Sequence, residues 1–185
     1  EFWKDEAAVG HWRVNLDEAR TLIVTQALTA EGWDAAAARD IAYDYARRHR
    51  DCLQPFDDVE ETLEGLRASG YKLAMITNGH GVPQRAKIDR HNFARHMDAI
   101  LIEGEFGKGK PDREIFEHAL AATGARPDEA WHIGDNLYAD VAGAQSAGIH
   151  AVWIHRERLE LGWNGSTVQP DRIIGHLREL RDILL

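Results

Sequence analysis

From Asp57 onward the chain alternates short apolar runs with helix-patterned segments, and this alternation constrains its fold more than any other feature. The runs YKLAMITNG (71–79), DAILIEGE (98–105), AWHIGD (130–135) and IHAVWIH (149–155) have strand length and end in polar or glycine-bearing turns. Between them lie DDVEETLEGLRASG (57–70), VPQRAKIDRHN (82–92), PDREIFEHALAATG (111–124) and LYADVAGAQSAG (137–148), each patterned as a helix. The first carries acidic residues in its opening turn and Gly70 as its stop, and the third has Pro111 early and Gly124 at its end. DRIIGHLRELRDIL (171–184) reads as a short strand and a closing helix. Strands alternating with helices predict right-handed crossovers and a doubly wound, Rossmann-like parallel sheet covered on both faces, an α/β fold.

Residues 1–52 differ in kind. EARTLIVTQAL (18–28) places apolar residues at helical spacing, and DAAAARDIAYDYARRH (34–49) is rich in alanine, so this part is expected to be all-helical. QPF (54–56) punctuates the boundary, giving an expected division into 1–52 and 53–185. The 22 basic and 31 acidic residues leave a formal charge of -9, which argues against a general binder of nucleic acid or of a membrane surface. Cys52 is the sole cysteine, so no intrachain disulfide can form and a cytoplasmic location is expected.

In open parallel sheets, ligands bind beyond the carboxyl ends of the strands. Three polar clusters occupy such positions. Thr77-Asn78-Gly79 follows LAMI, where a hydroxyl and backbone N–H groups on a tight turn can donate to an anion; read alone, it is also an ordinary strand-ending turn. Lys110-Pro111 opens the third helix, where a lysine opposes the helix dipole and is better explained as a cation aimed into an anion site, the alternative being an exposed lysine of the flexible GKGK loop. Gly134-Asp135-Asn136-Leu137-Tyr138-Ala139-Asp140 follows AWHI; its two carboxylates suit Mg²⁺, although helix capping would account for one of them.

LAMITNG, GKPDREIF and HIGDNLYADVAGAQSAGIHAVWI resemble the second, third and fourth motifs of the haloacid dehalogenase-like hydrolases, and the resemblance covers Asp57 to Leu185. It implies that residues 1–52 are a helical cap inserted before the second motif. It implies further that Thr77 and Lys110 are catalytic, that Thr77, Asn78, Gly79 and Lys110 bind the substrate's phosphate, and that Asp135 and Asp140 form the metal site. The implied reaction is Mg²⁺-dependent hydrolysis of a small phosphorylated metabolite through an aspartyl-phosphate. A phosphomutase, a 2-haloacid dehalogenase or a non-catalytic binding module of the same fold are the alternatives, and the two-carboxylate form GDNLYAD is similar to the phosphatases and phosphomutases. The family's first motif, an aspartate at the end of an apolar strand, has no counterpart after Glu1-Phe2-Trp3. The expectation is therefore that the first core strand and its nucleophile lie upstream of this chain. The resulting gap, between LAMIT and AWHIG, would be closed by rearrangement or filled from another copy, a route to a homodimer by strand or helix exchange.

Other signals are set aside. Phe56-Asp57-Asp58 follows no apolar strand and leads into a helix. Gly104 to Lys110 approaches a phosphate-binding P-loop, but Pro111 stands where a Ser or Thr must be. No HExxH-type pair occurs among the ten histidines, most of which are expected at the surface. Trp3, Trp12 and Trp33 are expected to pack in the cap core, with the lining of a substrate mouth as the alternative, and Asn164-Gly165-Ser166 to form a surface turn.

Overall fold

The computed structural model describes residues 15–156 and 167–184, so Trp3, Trp12 and the turn at 164–166 lie outside the described residues. The chain divides into two units, Glu1–Pro55 and Phe56–Leu185.

The first unit contains α1 (Leu16–Ala30) and α2 (Ala35–Asp51) packed as a hairpin. Asp34 caps α2 by accepting the N–H groups of Ala36 and Ala37 at 3.0 and 3.1 Å. Ala38, Ala42 and Ala46 recur every fourth residue and are buried with Ala19, so the helices approach on methyl groups and bury little apolar area each. Trp33 is 52% exposed, which corrects its expected place in the core: it stands in the turn before Asp34, off the alanine seam.

The second unit realises the alternation. After α3 (Val59–Ala68) come β1 (Ala74–Thr77), α4 (Gly81–Arg90), β2 (Ala99–Ile102), α5 (Arg113–Thr123), β3 (Trp131–Gly134), β4 (His150–Ile154), β5 (Arg172–Ile174) and α6 (Leu180–Leu184). The helix expected at 137–148 begins with a π-helical stretch, Leu137–Ala142, and continues as Gly143–Ser146. The second strand is shorter than DAILIEGE, because Glu103–Phe106 turn into a helical turn where glycine and glutamate replace β-formers.

All strand pairs are parallel, in the orders β1-β2 and β3-β4-β5. Adjacent residues of β4 face opposite sides, as the period of two requires. Ala151 joins the core made by Ile115, Phe116, Leu120, Val141 and Ala144, while Val152 joins the one made by Leu66, Ile174 and Leu180. Helices thus cover both faces, the layering of an α/β sheet. Complete burial of Phe116 contributes about 3 kcal/mol by transfer alone.

Among the described residues β1 and β3 do not pair with each other. Leu73, Ala74 and Ile76 on one side and Trp131, His132 and Ile133 on the other line one cleft of about 350 Å³. Its floor is apolar, with Phe116 and Leu120. Among the described residues no strand lies between β1 and β3 to meet the backbone groups on those facing edges.

Candidate active site

The ends of β1, β2 and β3, with the loop before α5, bring the three polar clusters into one connected network. At the end of β1 the chain turns through Asn78 and Gly79, whose φ of +118° is a conformation L side chains avoid. The Gly79 N–H donates to Glu103 Oε2 at 2.9 Å, and the Gly104 N–H donates back to the Gly79 carbonyl at 3.0 Å, so the turn is seated on the end of β2. His80 is exposed and caps α4, its Nδ1 accepting the Val82 N–H at 3.3 Å.

Asn78 reaches the second cluster. Its Nδ2 donates to the Lys110 carbonyl and its Oδ1 accepts the Lys110 N–H, both at 2.7 Å. Lys110 stands two residues before Asp112, the residue that caps α5. Its Nζ lies 2.7 Å from Asp140 Oδ1, and the two side chains are only 15% and 5% exposed.

Asp140 is the hub of the third cluster. Besides Lys110, its Oδ1 takes a hydrogen bond from His132 Nε2 at 3.0 Å, and its Oδ2 accepts the Asn136 N–H at 3.0 Å. Burial opposes its ionisation most strongly, yet the His132 hydrogen bond, the Lys110 charge and the Asn136 N–H outweigh burial and hold the carboxyl well below the usual carboxylate range. His132 packs edge-on against Phe116 at 5.1 Å, and burial first, then the Lys110 charge, push its imidazole down despite the carboxylate beside it. A neutral ring with the proton on Nε2 meets both conditions. The glycine of HIGD has a steric reason: a Cβ on Gly134 would lie 2.2 Å from Asp140 Cγ, so any side chain there would expel the carboxylate.

The two carboxylates of GDNLYAD therefore differ. Asp135 is exposed, and among the described residues its carboxylate accepts no hydrogen bond; only its backbone carbonyl is engaged, by Trp153 Nε1 at 2.9 Å. Helix capping falls to Asn136, whose Oδ1 accepts the Tyr138 and Ala139 N–H groups at 3.0 and 2.8 Å. Among the described residues no cluster of three or more His, Cys, Asp or Glu has metal-ligand geometry. Mg²⁺ requires only one or two carboxylates when water and a phosphate supply the rest, so Asp135 fits that ion as a single anchor. Thr77 ends β1 with its hydroxyl 3.4 Å from the Asn78 carbonyl, a long contact that leaves the hydroxyl free to turn toward an anion.

Sequence reasoning missed Glu103 and His132. Glu103 interrupts DAILIEGE as a buried acid, and His132 lies two residues before Gly134 on the same strand face as that glycine, so burial and alternation were the available signals.

Comparison with known proteins gives the family. Residues 18–154 match the model of the haloacid dehalogenase-like hydrolases, and the chain belongs to that family. It is 39% identical over 162 residues to a phosphoserine phosphatase of Thermus thermophilus, an alignment covering 87% of this chain and 63% of that protein. It is 35% identical over 133 residues to a glyceraldehyde 3-phosphate phosphatase of Methanopyrus kandleri, covering 71% of this chain and 57% of that one. The chain thus spans less than two thirds of the length of these relatives. The crystal structure of a HAD phosphatase from Thermococcus onnurineus superposes with a TM-score of 0.70 at 29% identity, covering 91% of this chain and 90% of that one.

Proposed function

We propose that the protein hydrolyses a small phosphate monoester with Mg²⁺, through an aspartyl-phosphate on a residue upstream of this chain. One observation carries the reading: Lys110 is held at its ammonium by Asp140 at 2.7 Å and at its backbone by Asn78. It thereby joins the turn Thr77-Asn78-Gly79 to the motif of Asp135, whose carboxylate accepts no hydrogen bond among the described residues. A nearly buried cation whose position is already fixed stabilises charge that develops on a transferring phosphoryl group without further reorganisation. The cleft between β1 and β3 supports the location of the nucleophile, because a strand there would deliver its carboxyl end beside Lys110 and Asp135.

The chemistry balances as two displacements. The upstream carboxylate attacks phosphorus, the ester P–O bond breaks, and the departing alkoxide takes a proton from solvent, which the water of the second step returns. Water then attacks the acyl phosphate, releasing inorganic phosphate and restoring the carboxylate. Thr77 and the backbone of the turn at Asn78 hold the phosphoryl oxygens, the Gly79 N–H being already donated to Glu103, while Lys110 bridges nucleophile and phosphate and Asp135 anchors Mg²⁺. That ion supplies charge neutralisation on the phosphoryl oxygens when bound. Asp140 serves the site through Lys110 instead of as a second metal ligand, because both of its oxygens are already engaged. The relatives named phosphoserine phosphatase and glyceraldehyde 3-phosphate phosphatase support a small phosphorylated metabolite as the substrate, and favour hydrolysis over dehalogenation. Among the described residues no helix is long and apolar enough to cross a membrane.

The test is phosphate release from a panel of small phosphate monoesters by the protein with its upstream segment present, assayed with Mg²⁺ and with chelator. Mg²⁺-dependent turnover that Asp135→Asn abolishes, with stability unchanged, is expected. Equal turnover in the variant at limiting Mg²⁺ removes Asp135 as the anchor, and no turnover on any ester removes the reading.

A further inference from the structure

The resemblance assigns Asn78 to the phosphate, but its side chain is engaged elsewhere. We infer that the side chain of Asn78 is a positioning group, which acts by fixing the backbone of Lys110 and not by binding the phosphoryl group. The catalytic part of this inference rests on the proposed function.

A side-chain amide presents a carbonyl and an NH₂, the same acceptor and donor that a neighbouring strand would offer. Asn78 spends both on one residue, 32 positions away in the chain, accepting the Lys110 N–H and donating to the Lys110 carbonyl at 2.7 Å each. The lysine is then pinned at two points: its backbone by Asn78 and its ammonium by Asp140 at 2.7 Å. A lysine stem has four rotatable carbons, so an anchored Nζ alone would leave its Cα free to drift with the GKGK loop.

Glu103 seats both partners of this clamp. Its Oε2 accepts the Gly79 N–H at 2.9 Å, which holds the turn carrying Asn78. Its side chain also fills the space beside Gly109, where a Cβ would lie 2.4 Å from Glu103 Cδ. Gln84 Nε2 donates to the Asn78 carbonyl at 3.0 Å and fixes the asparagine from the side of α4. The asparagine is therefore held on its own backbone, and its amide is directed at Lys110.

A double-mutant cycle separates the two roles, in the protein with its upstream segment present. If Asn78 acts through Lys110, Asn78→Ala lowers kcat by about 10- to 100-fold while KM and inhibition by inorganic phosphate change by less than about threefold. Added to Lys110→Ala, it lowers kcat by no more than about a further threefold, since the element it positions is already gone. Full multiplication of the two losses, or a large rise in the inhibition constant for phosphate, overturns the inference. A second readout needs no turnover. Hydrogen exchange at the Lys110 amide should accelerate at least about tenfold in Asn78→Ala while the amides of β1 keep their protection. Unchanged exchange at Lys110 also overturns it. Asn78→Asp, which keeps the acceptor but loses the donor, supplies the same cycle should the alanine variant not fold. If the unsubstituted protein shows no turnover, the proposed function fails and the exchange measurement alone decides the clamp.

Discussion

Asp140 Oδ1 lies 2.7 Å from Lys110 Nζ while Asp135, five residues earlier, has a carboxylate with no partner among the described residues. Two aspartates of one short motif thus do different work, and stability measurements distinguish them. Asp140→Ala leaves a nearly buried ammonium and the Asn136 N–H without their acceptor, and should cost about 3 to 5 kcal/mol in urea denaturation, the usual effect of breaking a buried ion pair from one side. Asp135→Ala should stay within about 0.5 kcal/mol of the parent, as exposed substitutions do. Similar costs for the two would refute this division.

The two lysines of GKGK form a matched pair for testing the proposed role of Lys110, in the protein with its upstream segment present. Lys108 is exposed and pairs with Glu114 and with Asp112 at 3.8 Å, so it supports the start of α5 from solvent. Lys110 turns inward to Asp140. Lys110→Ala should lower kcat by about 10² to 10³, the scale of one preorganised electrostatic donor, and Lys108→Ala by less than about threefold. Steady-state kinetics on both variants checks this, and equal losses would mean that the active lysine has been mislocated.

Asp58 gives the fold a defined acid sensitivity. Its Oδ1 meets Arg156 Nη2 at 3.1 Å, and its Oδ2 accepts the Leu177 and Arg178 N–H groups at 2.5 and 3.3 Å, tying the start of α3 to the segment before α6. Burial opposes ionisation most strongly, but Arg156 and the two N–H groups prevail and hold the carboxyl below its ordinary value. A carboxylate with a depressed folded-state pKa contributes stability that is fully present above the unfolded value of about 3.9. That contribution is lost as pH falls through the folded value. Asp58→Asn should therefore cost about 3 kcal/mol near neutrality, and its deficit relative to the parent should shrink below about pH 4. A deficit constant from pH 7 to pH 3 would show that the charge of Asp58 is not what holds the tie.

Much of this was legible in the sequence because strand-length runs and helix stops are local signals: the five described strands lie within the runs at 71–79, 98–105, 130–135 and 149–155 and at the start of 171–184. The clusters were legible because a polar turn at the end of an apolar run is also local. What each cluster side chain touches was not, since the Asn78 amide finds its partner 32 residues on and His132 finds Asp140 only after β3 and the following π turn fold together. Trp33 misled for a related reason: alanine had already filled the seam of α1 and α2, and no rule of composition reveals which residue a seam excludes.

The cleft between β1 and β3 yields the last prediction. Among the described residues each strand pairs with one neighbour, Ala74 to Thr77 with β2 and Trp131 to Gly134 with β4, and both line the same apolar space. Unpaired backbone groups in such a space are costly unless another strand or water meets them. Among the carboxylates described around Lys110, Asp140 is already engaged and Asp135 lies beyond the end of β3 as the candidate metal anchor, so neither serves as the attacking group. The 185-residue chain taken alone, with Mg²⁺ and a generic aryl phosphate, should show no turnover above background. The same chain with its upstream segment restored should turn over, and should resist urea better because the added strand satisfies both edges at once. Turnover by the isolated chain that disappears with Asp135→Asn would mean that a nucleophile is already present within these residues, and the cleft would then be a packing defect instead of the seat of the catalytic strand.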